Sequence, residues 1–144
     1  MSHILTTLFQ HHLWANLCLL ERCAALTPEQ LDASIAGSYG SIMVTFQHIV
    51  RAEQSYFSRI STGKRLERPE NEPPMTFDDM KVSLEKTGAG LLEWSSKVPP
   101  GESVPIDWDG VMRDVPKTIL FTQAIQHASE HREQIKAIMT EIGI

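Results

Sequence analysis

The sequence predicts an all-α protein, a four-helix bundle with a short β-hairpin before the last helix. Four segments of about 20 residues place apolar side chains three and four positions apart, as one buried face of a helix requires. Most glycines and prolines fall between these segments, where they favour turns and loops. Of the 144 residues, 42% are hydrophobic, which is enough for one domain over residues 1–144 to bury a core without disulfides.

The first helix is predicted over residues 2–25, a stretch that contains neither proline nor glycine. Six residues share its core-facing stripe: Leu5, Leu8, His12, Asn16, Leu19 and Cys23. The helix is predicted to end before Thr27-Pro28, and the segment from there to Gly40 is predicted to be a loop. Ser41 follows as the expected N-cap of a second helix, which runs to about Ser61.

A solvated crossover is predicted after the second helix, because residues 63–74 hold three prolines among alternating charges. Thr76 and Asp79 have the spacing of a capping box, which starts the third helix. Gly88 and Gly90 lie inside this helix, where each costs up to about 1 kcal/mol relative to alanine. We therefore expect another helix to approach closely at these glycines. The stripe of the third helix consists of Phe77, Met80, Leu84, Gly88, Leu91 and Val98.

A short hairpin is predicted before the last helix. Apolar residues alternate up to Trp108, an Asp109-Gly110 pair supplies the turn, and a second apolar run follows. Pro116 is expected in the first turn of the last helix, which ends before Gly143. The connections on both sides of the third helix are long enough for crossovers, so the residues alone leave the spatial order of the helices open.

Composition argues against several classes of function. The 13 basic and 18 acidic residues give a formal net charge of -5 without a lysine or arginine cluster, which argues against nucleic-acid binding. No apolar run reaches the roughly 18 residues of a membrane span, and the N-terminus lacks the basic region of a secretory signal. Cys18 and Cys23 lie about 140° apart around the first helix, so we expect them to be unpaired, as in a reducing compartment. We expect a cytoplasmic protein whose partners are small molecules or protein.

Two histidines on the last helix are the most informative residues of the chain. His127 and His131 are four positions apart, hence about 40° apart around the axis and about 6 Å along it, so both imidazoles point the same way. They interrupt an otherwise apolar stripe of Leu120, Ala124, His127, His131, Ile135, Ile138 and Ile142. This spacing suits a single metal ion.

His48 is the best candidate for a third ligand. It lies midway along the second helix, on a stripe whose small side chains leave space above the ring. Three imidazoles suit zinc, nickel, copper or ferrous iron and leave positions for water or substrate, as in catalytic sites. His12 is a further candidate, as a ligand or as a hydrogen-bonding partner of one, because it shares a face with Asn16. The alternative is that the two histidines of the last helix are separate residues at the edge of the core, with His48 on the surface.

Glu130 adds a second chemical hypothesis. His127, Glu130 and His131 have the spacing of the inverted zinc-peptidase motif, in which the glutamate activates a metal-bound water. Only 13 residues follow His131, and none is well placed to supply the acidic ligand of that motif. Glu130 is either the general base of a metal-dependent hydrolase or a solvated acid on the helix surface.

Three ordered motifs along the chain resemble those of the DinB/YfiT-like family of metal-dependent proteins. They are Trp14-Ala15-Asn16; Gly40-Ser41 followed by Gln47-His48-Ile49 and Ala52-Glu53; and His127 followed by His131-Arg132 and Gln134-Ile135. The resemblance implies a bundle of up-down-down-up order, a divalent metal held by His48, His127 and His131, and a homodimer. Nickel or zinc is the expected metal, with iron or manganese next.

The same resemblance supplies the leading functional hypothesis. Characterised relatives include transferases and isomerases that use mycothiol, bacillithiol or glutathione. This implies a metal-dependent thiol S-transferase, in which the metal lowers the pKa of a low-molecular-weight thiol and presents the thiolate to a small electrophile. A metal-dependent hydrolase with Glu130 as its base and a non-catalytic metal-binding stress-response protein are the alternatives.

Overall fold

The computed structural model describes residues 3–144, and its four long helices and hairpin follow the predicted order. The predicted start of the first helix at residue 2 lies outside the described residues. The elements are α1 (His3–Ala24), α2 (Pro28–Leu31), α3 (Ile42–Thr62), α4 (Phe77–Ser95), β1 (Ser103–Trp108), β2 (Val111–Pro116) and α5 (Lys117–Glu141). Within the described part of the chain, no helix is both long enough and apolar enough to cross a membrane.

The contacts between α1 and α4 show that these two helices run antiparallel. Ala24, at the end of α1, lines the same cavity as Phe77, at the start of α4. Leu8, near the start of α1, lines another cavity with Ser95, at the end of α4. The two helices therefore pack along their whole length in opposite directions.

α3 runs parallel to α4 and antiparallel to α5. Gln47, near the start of α3, donates to the carbonyl of Met75 just before α4, and Phe57, near its end, lies against Gly90 of α4. The start of α3 packs with the end of α5 in one core cluster, and the end of α3 packs with the start of α5 in the other. The bundle therefore has the up-down-down-up order that the family resemblance implies.

The caps predicted for α3 and α4 are confirmed. The Ser41 hydroxyl accepts a hydrogen bond of 3.3 Å from the N–H of Val44. At the start of α4, the Thr76 hydroxyl accepts from the N–H of Asp79 at 3.1 Å, and the Asp79 carboxylate accepts from the N–H of Thr76 at 3.0 Å. These bonds satisfy backbone donors that have no partner inside the helix, which fixes where each helix begins.

Three element boundaries differ from the prediction. α4 ends at Ser95, so Val98, which was predicted on the stripe of the third helix, lies beyond the end of this helix. The segment predicted as a loop contains the one-turn helix α2, because Thr27 and Gln30 form a capping box around its first residue, Pro28. Pro116 does not lie in the first turn of α5, since it ends β2 opposite Ser103 and α5 begins one residue later.

The hairpin has the predicted turn. Trp108 pairs with Val111 across a two-residue loop in which Asp109 has a φ of 53° and Gly110 a φ of 79°. Two consecutive positive φ values are what a type I′ turn requires. The Asp107 carboxylate accepts a 2.8 Å hydrogen bond from the N–H of Gly110 and holds the turn closed. The hairpin packs on the bundle through Val104, which is buried in one core cluster with Leu91 of α4 and Leu120 of α5.

The predicted helical stripes bury their central residues but expose some of their ends. Leu5 is 41% exposed, Leu8 is 43% exposed and Ile142 is 37% exposed, so their prediction as core residues is wrong. Leu5 and Leu8 border an open cavity between α1, α4 and α5, and Ile142 follows the last turn of α5. Periodicity identifies a face of a helix but not where the neighbouring helix stops covering it.

The close helix approach expected at the two glycines of α4 is confirmed. A Cβ atom added at Gly88 would lie 2.6 Å from Cδ1 of Leu13 on α1. A Cβ atom added at Gly90 would lie 2.3 Å from Cε2 of Phe57 on α3. Both distances are far below van der Waals contact, so α4 packs closely on both neighbours only because these side chains are absent.

Gly90→Ala is therefore expected to lower the free energy of unfolding. The new methyl group would meet a rigid phenyl ring, and overpacking of this kind costs about 1–3 kcal/mol. Urea titration followed by circular dichroism measures the change. Phe57→Leu should reduce the penalty in a double mutant, and an equal penalty with and without Phe57 would contradict the close contact as its cause.

Candidate metal centre

Three histidines from two helices converge at one place on the bundle. His48 lies on α3, and His127 and His131 lie one turn apart on the neighbouring α5. One ring nitrogen of each lies within 4.8 Å of those of the other two, and Nε2 of His48 is 2.9 Å from Nε2 of His127. The structure thus brings together the three residues that the sequence predicted as ligands. The three rings lie against one another and not apart, and their role as metal ligands stays a prediction.

The spacing of two of the ring nitrogens is that of ligands to one metal ion. Two imidazole nitrogens bound to one ion at about 2.0–2.1 Å lie about 2.9–3.4 Å apart for ligand angles between 90° and tetrahedral. The 2.9 Å between the Nε2 atoms of His48 and His127 falls in this range. All three rings are partly buried, so side-chain packing restricts them while one side of the group stays accessible. These residues could hold a divalent ion with at least one position open.

The electrostatics of the site keep the imidazoles of His48 and His127 neutral. Burial, reinforced by repulsion from His131 and His48, lowers the pKa of His127 from 6.5 to about 4. Burial and repulsion from His131 also lower the pKa of His48. A neutral imidazole offers a lone pair, whereas a protonated ring has none for a metal. At neutral pH both rings are therefore in the form that coordination requires.

Both tyrosines of the chain lie against these histidines. The Tyr39 ring stacks on His48, with centroids 4.0 Å apart and planes 10° apart, and its edge faces His131 at 5.4 Å. Tyr56 contacts His127 edge to face at 6.0 Å. Neither tyrosine was predicted to lie at the site. Tyr56 had a detectable signal, since it lies about two turns from His48 on α3, whereas Tyr39 comes from the irregular segment before α3.

A cavity of about 290 Å³ adjoins the histidines on the α3 side. His48 and Tyr39 form the wall nearest the histidine group, and Arg51 and Glu72 line the cavity further away. The guanidinium of Arg51 donates to the carbonyl of Pro73, which ties the crossover after α3 to this helix. The cavity provides space for a small molecule beside the ring of one candidate ligand.

Glu130 and His12 lie outside the histidine group. Glu130 is exposed, and its carboxylate accepts a hydrogen bond from Gln126 of the same helix. Its role as a general base stays a prediction. His12 is 1% exposed and bonds Glu53 at 2.6 Å, so it is not a member of the group that could hold a metal. Its predicted place on the buried face of α1 with Asn16 is confirmed.

His12 instead belongs to a buried polar network that joins all four long helices. Glu53 of α3 accepts hydrogen bonds from Asn16 of α1 at 3.3 Å and from Thr87 of α4 at 2.7 Å. Arg132 of α5 donates to the side-chain oxygen of Asn16 at 2.6 Å. Burial lowers the pKa of Arg132, and the charge of Glu53 opposes this shift. Glu53 and Arg132 were not predicted as core residues, because hydrophobic patterning assigns charged residues to the surface of a helix.

Metal affinity is expected to change little above the ordinary imidazole pKa of 6.5 and to fall as the pH drops from there towards 4. The lowered pKa values of His48 and His127 mean that neither ring binds a proton until the pH is below the ordinary imidazole value of 6.5. As the pH falls further towards 4, protonation of His127 competes with the metal. Competition titration with a chromogenic chelator measures the dissociation constant across this range. A metal affinity that already falls steeply between about pH 8 and pH 7 would contradict ligands that are neutral in that range.

Comparison with known families agrees with this geometry. The DinB family matches residues 1–144, which is the whole sequence. No curated protein matches the chain. The matched range includes the helices that supply His48, His127 and His131. The chain is therefore a member of the DinB family.

Proposed function

We propose that this protein is a divalent-metal-dependent thiol S-transferase that joins a low-molecular-weight thiol to a small electrophile. The observation that carries the proposal is the convergence of three imidazoles, two of them with lowered pKa values, beside an accessible cavity. A structural metal site is normally closed by a fourth protein ligand, whereas this group has three. A site with an open position suits a metal that binds a reactant.

The proposed reaction needs a thiolate, and the protein's own cysteines do not supply it. Cys23 is buried, and burial raises its pKa to about 12, so this thiol stays protonated at neutral pH. Cys18 is exposed but lines a cavity with Trp14 and Phe77, away from the histidines. The nucleophile must therefore be a separate thiol, as the family resemblance also implies.

Some residues of the site would bind the metal ion, and another would shield one of these ligands from water. His48, His127 and His131 would hold a nickel or zinc ion, with iron or manganese as the next choices. Such an ion lowers the pKa of a bound thiol and supplies a thiolate at neutral pH. Tyr39 covers one face of His48 and limits the access of water from that side. The thiol sulfur then forms a bond to carbon of the electrophile, the leaving group departs with its electron pair, and the thiol proton passes to solvent.

A thiol panel tests this proposal. Protein loaded with Ni²⁺ or Zn²⁺ is mixed with a chlorodinitrobenzene and, in turn, glutathione, bacillithiol or mycothiol, and the thioether is followed by its absorbance. The proposal predicts turnover that requires the metal and one of the thiols. Hydrolysis of ester or amide substrates by the loaded protein, without any thiol, would instead favour the hydrolase with Glu130 as base. Metal binding without turnover in either assay would favour a non-catalytic metal-binding protein.

The proposal includes a homodimer. Its support is an apolar cavity of about 380 Å³ between α1, α4 and α5, which is open to solvent and bordered by Leu5, Leu8 and Phe121. Ile4 is 76% exposed and Ile119 49% exposed near the same ends of α1 and α5. Apolar surface of this kind favours association with another protein surface. Sedimentation equilibrium of the wild type and of Leu8→Lys tests whether this end of the bundle holds two copies together.

A further inference from the structure

Gln134 connects a candidate metal ligand to the segment that precedes α3. It lies three residues after His131 on α5, and its side-chain oxygen Oε1 is 2.9 Å from Nδ1 of His131. The same oxygen accepts a 3.2 Å hydrogen bond from the backbone N–H of Tyr39. Tyr39 in turn stacks its ring on His48. Gln134 therefore contacts His131, a member of the histidine group, and Tyr39, which stacks on another member, His48.

The backbone of Tyr39 determines which way the Gln134 amide points. A backbone N–H can only donate, so the Gln134 atom that faces it must be the carbonyl oxygen and not the NH₂ group. A carbonyl oxygen can only accept, so the second partner of this atom, Nδ1 of His131, must carry a hydrogen. In a neutral ring only one nitrogen is protonated. The lone pair of His131 therefore lies on Nε2.

This hydrogen bond also restricts the orientation of the His131 ring. His48 and His127 approach each other through their Nε2 atoms at 2.9 Å, and the tautomer assigned to His131 offers the same type of nitrogen. In metal sites, a hydrogen bond from the second ring nitrogen to an oxygen acceptor both selects the tautomer and increases the basicity of the ligating nitrogen.

We infer that Gln134 is a positioning residue for the metal centre. Gln134 sets the tautomer and the orientation of the His131 ring, and the backbone N–H of Tyr39 sets the orientation of the Gln134 amide. This inference rests on the proposed metal binding. It links the segment before α3 to the affinity of the site, since displacement of Tyr39 would free the Gln134 amide to rotate. A purely structural glutamine would tie Tyr39 to α5 but would not affect the position of the proton on His131.

The first test is the tautomer of His131 in the metal-free protein. Long-range ¹H–¹⁵N NMR spectra distinguish Nδ1–H from Nε2–H imidazoles and need no bound metal. We expect Nδ1–H in the wild type, a shift towards Nε2–H in Gln134→Leu, and Nδ1–H again in Gln134→Glu, whose carboxylate also accepts from both donors. Gln123→Leu, an exposed glutamine on the same helix, serves as the matched control and should leave the tautomer unchanged. An Nδ1–H tautomer that persists in Gln134→Leu would overturn the inference.

The second test is metal affinity measured on the same variants. Loss of such a hydrogen bond typically weakens binding by about 10- to 100-fold, so we expect this decrease for Gln134→Leu and wild-type affinity or better for Gln134→Glu. Urea unfolding of the metal-free variants identifies any general loss of stability. A Gln134→Leu protein that binds Zn²⁺ as tightly as the wild type would overturn the positioning role. Failure of the wild type to bind metal would refute the proposed function, while the NMR spectra would still decide whether Gln134 sets the proton of His131.

Discussion

His127→Ala is expected to abolish metal loading. Its Nε2 atom is 2.9 Å from that of His48, and its pKa of about 4 makes it a neutral ligand throughout the physiological pH range. Two imidazoles remain after the substitution, and two ligands hold a divalent ion far more weakly than three. The loss should exceed the roughly 10- to 100-fold typical of removing a ligand's hydrogen-bonding partner. Elemental analysis of purified protein, with isothermal titration of Ni²⁺ and Zn²⁺ into the metal-free form, measures the effect.

His11→Ala provides the matched control for this substitution. His11 lies on the exposed side of α1 with its ring against Trp14, and it is not a member of the histidine group. The His11→Ala protein should therefore bind metal as the wild type does. A His127→Ala protein with the metal content of this control would show that the ion binds elsewhere and would remove the basis of the proposed enzyme.

Thermal unfolding separates loss of the metal from loss of the fold. A ligand that binds only the folded state raises its stability by an amount that grows with the ligand concentration. Added Zn²⁺ should therefore raise the melting temperature of the wild type and of His11→Ala, but not that of His127→Ala. The metal-free forms of all three proteins should melt at similar temperatures, since His127 is only partly buried and lies at the edge of the core.

The histidine group could be predicted because its spacing is local. His127 and His131 share a helix, so helix geometry alone places them on one face. His48 is on another helix, and small neighbours on its stripe marked it as a residue with space above its ring. That α3 and α5 are neighbours did not follow from the stripes. The prediction that α3 and α5 are neighbours came from the resemblance to the family, and the packing of the two helices confirms this prediction.

The surroundings of the site could not be predicted, because they depend on contacts between distant parts of the chain. Tyr39 belongs to a segment without helical periodicity, and its contact with Gln134 spans 95 positions. Glu53 and His12 are 41 positions apart. Glu53 has the sequence pattern of an exposed helix residue, and only the positions of three other helices show that it is buried. Hydrophobic patterning locates apolar faces, but it does not identify charged residues that are buried with a partner.

Glu53→Gln is expected to cause a large loss of stability. The carboxylate is 2% exposed and accepts hydrogen bonds from Asn16 and Thr87, while its charge favours the protonated form of the buried Arg132. The amide is nearly the same size, so the substitution removes the charge with little change in packing. Removing one partner of a buried charge network typically costs about 3–5 kcal/mol, because the other charge stays buried without compensation. Urea unfolding of the metal-free protein measures this loss. Glu85→Gln, an exposed position on α4, should change the stability by less than about 0.5 kcal/mol.

A double-mutant cycle with Arg132→Met identifies the buried charges as the cause. Arg132 is 9% exposed, and methionine can occupy much of its volume without a charge. Each single substitution leaves one of these two charges in the core without the other, whereas the double mutant has neither, and His12 lies beside residue 53 in every variant. Glu53 and Arg132 interact through their charges and through Asn16, which donates to Glu53 and accepts from Arg132, so the double mutant should be more stable than the sum of the two single losses predicts. Additive losses would mean that Glu53 and Arg132 do not interact and that each is held by its hydrogen bonds alone.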